Sequence, residues 1–276
     1  MQKDYWQPES FFIKMFFNFR DKLWEKQVRN FLAKINIDTF DVLFLDGGAG
    51  FLRNGKIVQE LKKKGLKIIV TYCGSDYRSR GPIRVIEDTA DYRLSFEHDH
   101  TLLDPTLDLY FAPFAMPEFE LQERSTDRIR IGHAPTNRLA KGTDKILSIL
   151  SNMKSKFNIE IVLIEKLSHA QALGLKSSCD IFIDNLGEIG YGINSLESLS
   201  MGVPTAVQLF PDLEERLGEH PFINISAETM EQKLVPFIES DELRKKYALT
   251  GMQWVDRYHN PTTIVKKILS QIDIKD

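Results

Sequence analysis

Short apolar runs alternate along this chain with longer stretches of helical periodicity. Val42-Leu43-Phe44-Leu45, Ile68-Ile69-Val70, Ile129 with Ile131, Ile159 to Ile164, Ile181-Phe182-Ile183 and Thr205-Ala206-Val207 are brief and nearly continuous in hydrophobicity. Strands covered on both faces in a parallel sheet have that pattern. Between them, Ile146, Leu147, Ile149, Leu150 and Met153 share one helical face. Ser168-His169-Ala170-Gln171 is a capping-box signature that predicts a helix over 168–175. Lys62-Lys63-Lys64-Gly65 reads as a helix end, with cations on the negative pole and glycine just past it. Further helices are predicted near 228–238, 241–258 and 261–272. The alternation predicts an α/β protein with two Rossmann-like domains of parallel sheet. Pro113, Pro117 and the polar run Glu120 to Asp127 place the boundary near 115–127, giving domains 1–120 and 121–276.

The first forty residues follow another pattern. The first clear strand waits until Val42, so the first domain reads as reduced. Before it, from Tyr5 to Phe31, Phe12, Met15, Phe16, Phe19 and Leu23 recur at helical spacing among Lys14, Arg20, Lys22, Lys26 and Arg29. An apolar helix face is usually core, which predicts a helix packed on the shortened domain. The alternative is a peripheral contact of residues 5–31 with an anionic membrane.

Composition narrows the classes. The 276 residues are 42% hydrophobic and 27% charged with a formal charge of -3, ordinary for a globular protein and no signature of bulk nucleic-acid binding. Cys73 and Cys179 form no disulfide or metal pattern, so a reducing cytoplasm is the simplest compartment. No apolar run reaches membrane-span length, and the N-terminus does not read as a signal peptide. Glu97-His98-Asp99-His100 has the look of a metal cluster, but no third ligand is identifiable; the expected structure there is a solvated turn and the expected metal is none.

Two stretches carry candidate chemistry. Gly190-Tyr191-Gly192, then Asn194-Ser195-Leu196-Glu197, then Gly202-Val203-Pro204 read as a glycine loop, a short helix and a buried strand. Unpaired N–H groups at such a helix start suit phosphate. Glu197, one turn in, suits the vicinal hydroxyls of a ribose; Asn194 to Glu197 also fits a capping box, with Asn194 as N-cap. Upstream, Ile131 to Asp144 places Arg138 and Lys141 in a strand-to-helix loop, where α/β proteins put ligands and where two cations can neutralise a diphosphate. The alternative is a solvated basic loop. His133 either lines the ligand cleft or is bonded to backbone. In the first half, Asp46-Gly47-Gly48-Ala49-Gly50 lets a ligand approach or simply makes a tight turn. Thr71 to Arg78 follows the next strand; Asp76 and Arg78 are cleft residues or an ion pair at a helix start, and Cys73 has the alternative of a small buried hydrophobe.

In their order and spacing, His133-Ala134-Pro135…Asn137-Arg138…Lys141-Gly142-Thr143-Asp144 and Tyr191-Gly192…Ser195-Leu196-Glu197…Met201-Gly202…Pro204 resemble family-four retaining glycosyltransferases of the GT-B fold, over roughly residues 125–270. The resemblance implies that Arg138 and Lys141 hold the donor diphosphate, that Glu197 holds the ribose and that the C-terminal helix crosses back to the first domain. It implies no metal and no cofactor apart from the nucleotide-diphosphate sugar. Two positions depart from it. Relatives carry a first glutamate that contacts the donor sugar, where this chain has Ile189, with Glu188 one residue off register; and Cys73 stands where relatives often have a histidine near the reacting sugar.

The sequence thus predicts a hexosyltransferase-type enzyme with its donor between two GT-B-like domains. With that resemblance, Arg138 and Lys141 are expected as the catalytic cations, Gly190, Tyr191, Gly192, Asn194, Ser195, Glu197 and His133 are expected to bind the donor, and Asp46, Gly47, Cys73, Asp76 and Arg78 are candidates for the acceptor side. The acceptor is a saccharide or glycolipid. The rival is a degenerate, non-catalytic partner or scaffold, and a sugar epimerase of similar fold is a third reading.

Overall fold

A computed structural model describes residues 10–74, 76–116, 118, 127–187 and 190–272, with the side chain of Asp76 outside the description. Two compact units emerge, residues 1–112 with 262–276, and residues 113–261. The sequence reading divides the chain at 120; here the division falls at 112, and the tail from Thr262 belongs to the first unit. Pro117 and Glu120 to Thr126, on which the sequence boundary partly rests, lie outside the described residues.

The first unit runs α1 (Phe11–Lys34), β1 (Val42–Asp46), α2 (Lys56–Lys63), β2 (Lys67–Tyr72), α3 (Asp76–Ser79), α4 (Arg84–Glu87), β3 (Tyr92–Ser95), α5 (His98–Leu103) and β4 (Asp108–Leu109). Its four strands are parallel in the order β1-β2-β3-β4. Ile57, Val58 and Leu61 of α2 pack on Ile68 and Val70 of β2 to form the core of one face. The second unit runs β5 (Ile129–His133), α6 (Thr143–Lys154), β6 (Ile159–Leu163), α7 (His169–Ser177), β7 (Ile181–Ile183), α8 (Ile193–Ser200), β8 (Thr205–Val207), α9 (Pro211–Leu217), β9 (Ile223–Asn224), α10 (Met230–Glu239) and α11 (Asp241–His259). Its five strands are also parallel, in the order β6-β5-β7-β8-β9. Ile146, Leu150 and Met153 of α6 lie against Ile131, Ile159 and Ile181. The last helix, α12 (Pro261–Leu269), sets Ile264 and Ile268 on Ile69 and Leu94 and so covers the first unit's other sheet face.

Local signals explain several ends. Ser168 Oγ accepts from Gln171 N–H while the Gln171 side chain accepts from Ser168 N–H, completing the predicted capping box of α7. Gly65, at φ 108°, terminates α2 after its lysines.

Two expectations are corrected. Phe12, Met15, Phe16, Phe19 and Leu23 do lie on a helix, but all five are exposed. Toward the core α1 turns Val28 and Leu32, and Asp21, whose carboxylate accepts from Asn54 N–H. The periodicity found the helix, and its richest apolar face was not the packed one. The Glu97–His100 segment is helical rather than a solvated turn, and His100 is wholly buried, its ring nitrogens bonded to Ser95 Oγ and the Gly74 carbonyl. Among the described residues no group of His, Cys, Asp and Glu could hold a metal ion.

Candidate functional site

In the second sheet the chain leaves β5 for β6 on one side, then crosses to β7 on the other. The loops after β5 and β7 therefore diverge, and open α/β sheets bind ligands outside the carboxyl ends of strands at such a switch point. The loop after β5, 134–142, lies within the first of the two stretches singled out by sequence, and the loop after β7 leads into the second at Gly190. The first sheet, ordered β1-β2-β3-β4, has no such reversal.

The 134–142 loop is a fixed turn. Asn137 Oδ1 accepts from the N–H groups of Leu139 at 3.0 Å and Ala140 at 3.1 Å, and Thr143 N–H donates to the Arg138 carbonyl. Gly142 caps α6 at φ 64°, where a Cβ would stand 3.0 Å from the Leu186 carbonyl oxygen; both conditions favour glycine. Leu186 N–H donates back to the Lys141 carbonyl at 3.0 Å, tying the two loops together.

The two cations differ. Arg138 is half exposed and gives a two-pronged contact to Glu165, at 2.8 and 2.6 Å. The guanidinium holds the Glu165 carboxyl below the usual carboxylate range. Lys141 is only 8% exposed, and its ammonium lies 2.5 Å from Asp184 Oδ1. Asp184 Oδ2 accepts from Ser195 Oγ at 2.6 Å and Gly192 N–H at 3.3 Å. One buried carboxylate thus joins the basic loop to the start of α8.

Gly192, not Asn194, is the N-cap of α8, so the capping-box alternative does not hold. The amides of Ile193, Asn194 and Ser195 form its first turn, where a helix supplies no carbonyl partner. Asn194 instead donates from Nδ2 to the Ala134 carbonyl and accepts from Lys176 Nζ at 2.8 Å. Glu197 is 3% exposed; its Oε2 pairs with Lys176 and its Oε1 meets His169 Nε2 at 2.7 Å. Burial pushes the Lys176 ammonium below its ordinary range, and the Glu197 carboxylate works against that shift. Gly190 and Tyr191 belong more to the scaffold. The Gly190 carbonyl accepts from Asn185 Nδ2 at 2.7 Å, and the Tyr191 ring sits among Phe222, Trp254 and His259. Glu188 and Ile189 lie outside the described residues.

His133 ends β5 wholly buried, with Nδ1 on the Ile183 carbonyl at 2.8 Å and Nε2 on Thr143 Oγ1 at 2.9 Å. Of its two readings, the backbone-bonded one is the structure's. Sequence reasoning missed Asp184, Lys176 and His169. Asp184 carried a signal, an acid directly after a buried strand; Lys176, among small and apolar neighbours on α7, carried none.

In the first unit, Cys73 Sγ meets Asp46 Oδ1 at 3.1 Å, joining the carboxyl ends of β1 and β2. Gly47 and Gly48 both have positive φ, and the Gly47 carbonyl accepts from Arg80; the tight-turn reading of this loop is the one observed. Arg78 donates from Nη1 alone to both carboxylate oxygens of Asp99, each at 2.7 Å.

Burial holds His133, His100 and His220 below the ordinary histidine value of 6.5. The unfolded chain then binds more protons than the folded one as pH falls through about 6.5, so folding stability is lost toward acid. Each histidine contributes at most about 1.4 kcal/mol per pH unit. Thermal melts at pH 7.5, 6.5 and 5.5 should show a falling midpoint; a flat profile would contradict neutral, buried imidazoles.

Several solved structures share this fold. Sucrose-phosphate synthase from Thermosynechococcus elongatus is similar with a TM-score of 0.59 at 11% identity, over 90% of this chain and 78% of that one. The Anabaena protein HepE, in complex with UDP, gives a TM-score of 0.59 at 11% identity, over 87% and 82%. A candidate UDP-N-acetylglucosamine 2-epimerase from Listeria monocytogenes gives 0.54 at 12%, over 89% and 76%. No family model matches the chain, and no curated protein matches it in sequence. The likeness is therefore one of fold: an α/β protein with two parallel, Rossmann-like sheets of the GT-B type.

Proposed function

We propose that this protein transfers a hexose from a nucleotide-diphosphate sugar to a saccharide or glycolipid acceptor with retention. The observation that carries the reading is that, at the switch point of the second sheet, Asp184 joins Lys141 of the loop that carries Arg138 to Gly192 and Ser195 at the start of α8, the helix that carries Glu197. Arg138 forks onto the diphosphate in exchange for Glu165, and the amides of Ile193 to Ser195 complete the phosphate cradle. Fixed donors aimed at the leaving diphosphate lower the barrier as its charge develops. Lys141, paired with Asp184, holds the loop in register with α8 and adds its field at short range. Glu197 takes the ribose hydroxyls through Oε1, displacing the imidazole of His169, whose side chain is 64% exposed and can move away.

Retention rests on the resemblance of residues 133–144 and 190–204 to family-four enzymes. In such a reaction the leaving diphosphate itself accepts the acceptor proton, so Cys73 in place of a histidine leaves the step feasible. HepE in complex with UDP and with UDP-glucose makes UDP the first nucleotide to try.

The test is isothermal titration with UDP, GDP, ADP and CMP, on wild type and Arg138→Ala. Arg138 stands at the surface, so the variant keeps its fold. Losing a forked, charged contact should weaken the preferred diphosphate about ten- to hundredfold. Equal affinity in the variant, or no binding of any nucleotide, would remove the donor-site assignment. Incubation of the preferred sugar nucleotide with acceptors then separates transfer from epimerisation.

A further inference from the structure

The outer face of α1 has no role in the transfer reading and an unusual make-up. Phe11, Phe12, Met15, Phe16, Phe19 and Leu23 are all more than half exposed, Phe11 and Phe12 to 74%. At about 100° per residue they occupy an arc of about 140°, on the side opposite Asp21, Val28 and Leu32. Lys22 and Lys26 continue the same arc one turn further on. Six large apolar side chains on one exposed face exceed the scattered singletons normal for a monomer's surface and mark a contact surface.

Charge says what the contact is. From Ser10 to Lys34 the chain has six cations, Lys14, Arg20, Lys22, Lys26, Arg29 and Lys34, against Asp21 and Glu25. Both acids are taken: Asp21 by Arg20 at 2.7 Å, and Glu25 by Arg29 at 2.8 Å and Lys56 at 3.2 Å. Lys14, Lys22, Lys26 and Lys34 have no acidic partner among the described residues. A second copy docked on this face would bring Lys22 and Lys26 of both copies into one interface, where α1 offers no unpaired acid to neutralise them. A bilayer with anionic headgroups supplies both an apolar phase for the aromatic rings and the missing negative charge, with lysine stems reaching up to headgroup level. Among the described residues no helix is long and apolar enough to cross a membrane, so the helix lies on the surface.

We infer that the Phe11–Leu23 face of α1, with Lys22 and Lys26, docks this protein on an anionic lipid bilayer. The first unit would thereby be held at the membrane surface, whatever the second unit binds.

Flotation of the full chain with vesicles of phosphatidylcholine alone and of phosphatidylcholine with an equal amount of phosphatidylserine tests this. Wild type should float with the anionic vesicles, less so at high salt. Phe16→Ser with Phe19→Ser should weaken binding by more than about tenfold; Lys22→Glu with Lys26→Glu should weaken it by about twenty-fivefold or more, at about fivefold per lysine removed. All four positions are exposed, and unchanged circular dichroism melts would show that the variants fold. No flotation with anionic vesicles, equal flotation of wild type and both variants, or a wild-type dimer in light scattering that Phe16→Ser with Phe19→Ser converts to monomer would overturn the inference, the last assigning the face to a second copy.

Discussion

Replacing Asp184 by alanine should lower stability by about 3–5 kcal/mol, because the Lys141 ammonium then stays buried without its carboxylate. The same change removes the acceptor for Ser195 Oγ and Gly192 N–H, so the start of α8 loosens with the basic loop. At about 2–4 °C per kcal/mol, the melting midpoint should fall by about 6–20 °C. Lys141→Met in the same chain should recover much of the loss, since an apolar side chain of similar length removes the unpaired charge. Differential scanning calorimetry of the four chains gives the coupling directly. A drop under about 2 °C for Asp184→Ala, or no recovery in the double variant, would mean that water already solvates the pair. Affinity for a nucleoside diphosphate should fall in Asp184→Ala and stay low in the double variant, because a methionine in place of Lys141 restores stability but no charge at the loop.

The second large effect belongs to Glu197 and Lys176. Glu197→Ala should destabilise by a comparable 3–5 kcal/mol, roughly, by leaving a wholly buried lysine without its counter-charge. It also has a pH signature. Burial already depresses the folded-state value of Lys176 below 10.5, and the carboxylate opposes that shift. Without Glu197 the depression deepens, so between the lowered folded value and 10.5 the unfolded state binds more protons. Stability of the variant should therefore rise with pH up to about 10.5, more steeply than that of wild type. Melts of both chains from pH 7 to 10 read the difference. Parallel profiles would show that Lys176 finds another counter-charge, and Asn194 Oδ1, which already accepts from Nζ, offers only a neutral one. Glu197→Gln, which keeps the shape of the side chain, is the variant for asking whether the ribose uses this position.

Both effects arise from groups that local pattern could not pair. The longest strands of both sheets were legible, since Val42–Asp46, Lys67–Tyr72, Ile129–His133 and Ile159–Leu163 contain enough apolar residues to stand out. Tyr92–Ser95, with Arg93 and Ser95 in it, and the two-residue strands Asp108–Leu109 and Ile223–Asn224 did not, because so short a segment shows no period. The α1 face misled for a related reason. Helical spacing reports that side chains share a side, and says nothing about whether the fold covers that side.

By itself the sequence determined that this is an α/β protein, where its main strands and helices lie, and which two stretches hold the candidate site residues, Arg138 and Lys141 in one and Glu197 in the other, because periodicity and turn chemistry act over a few residues. Only the tertiary structure decided that Lys141 meets Asp184 across 43 positions and that Glu197 meets Lys176 across 21. Strand order and burial bring such charges together, and the low dielectric of the interior then makes each depend on its partner. The same packing left Arg138 at the surface, paired with Glu165, and turned the aromatic side of α1 outward.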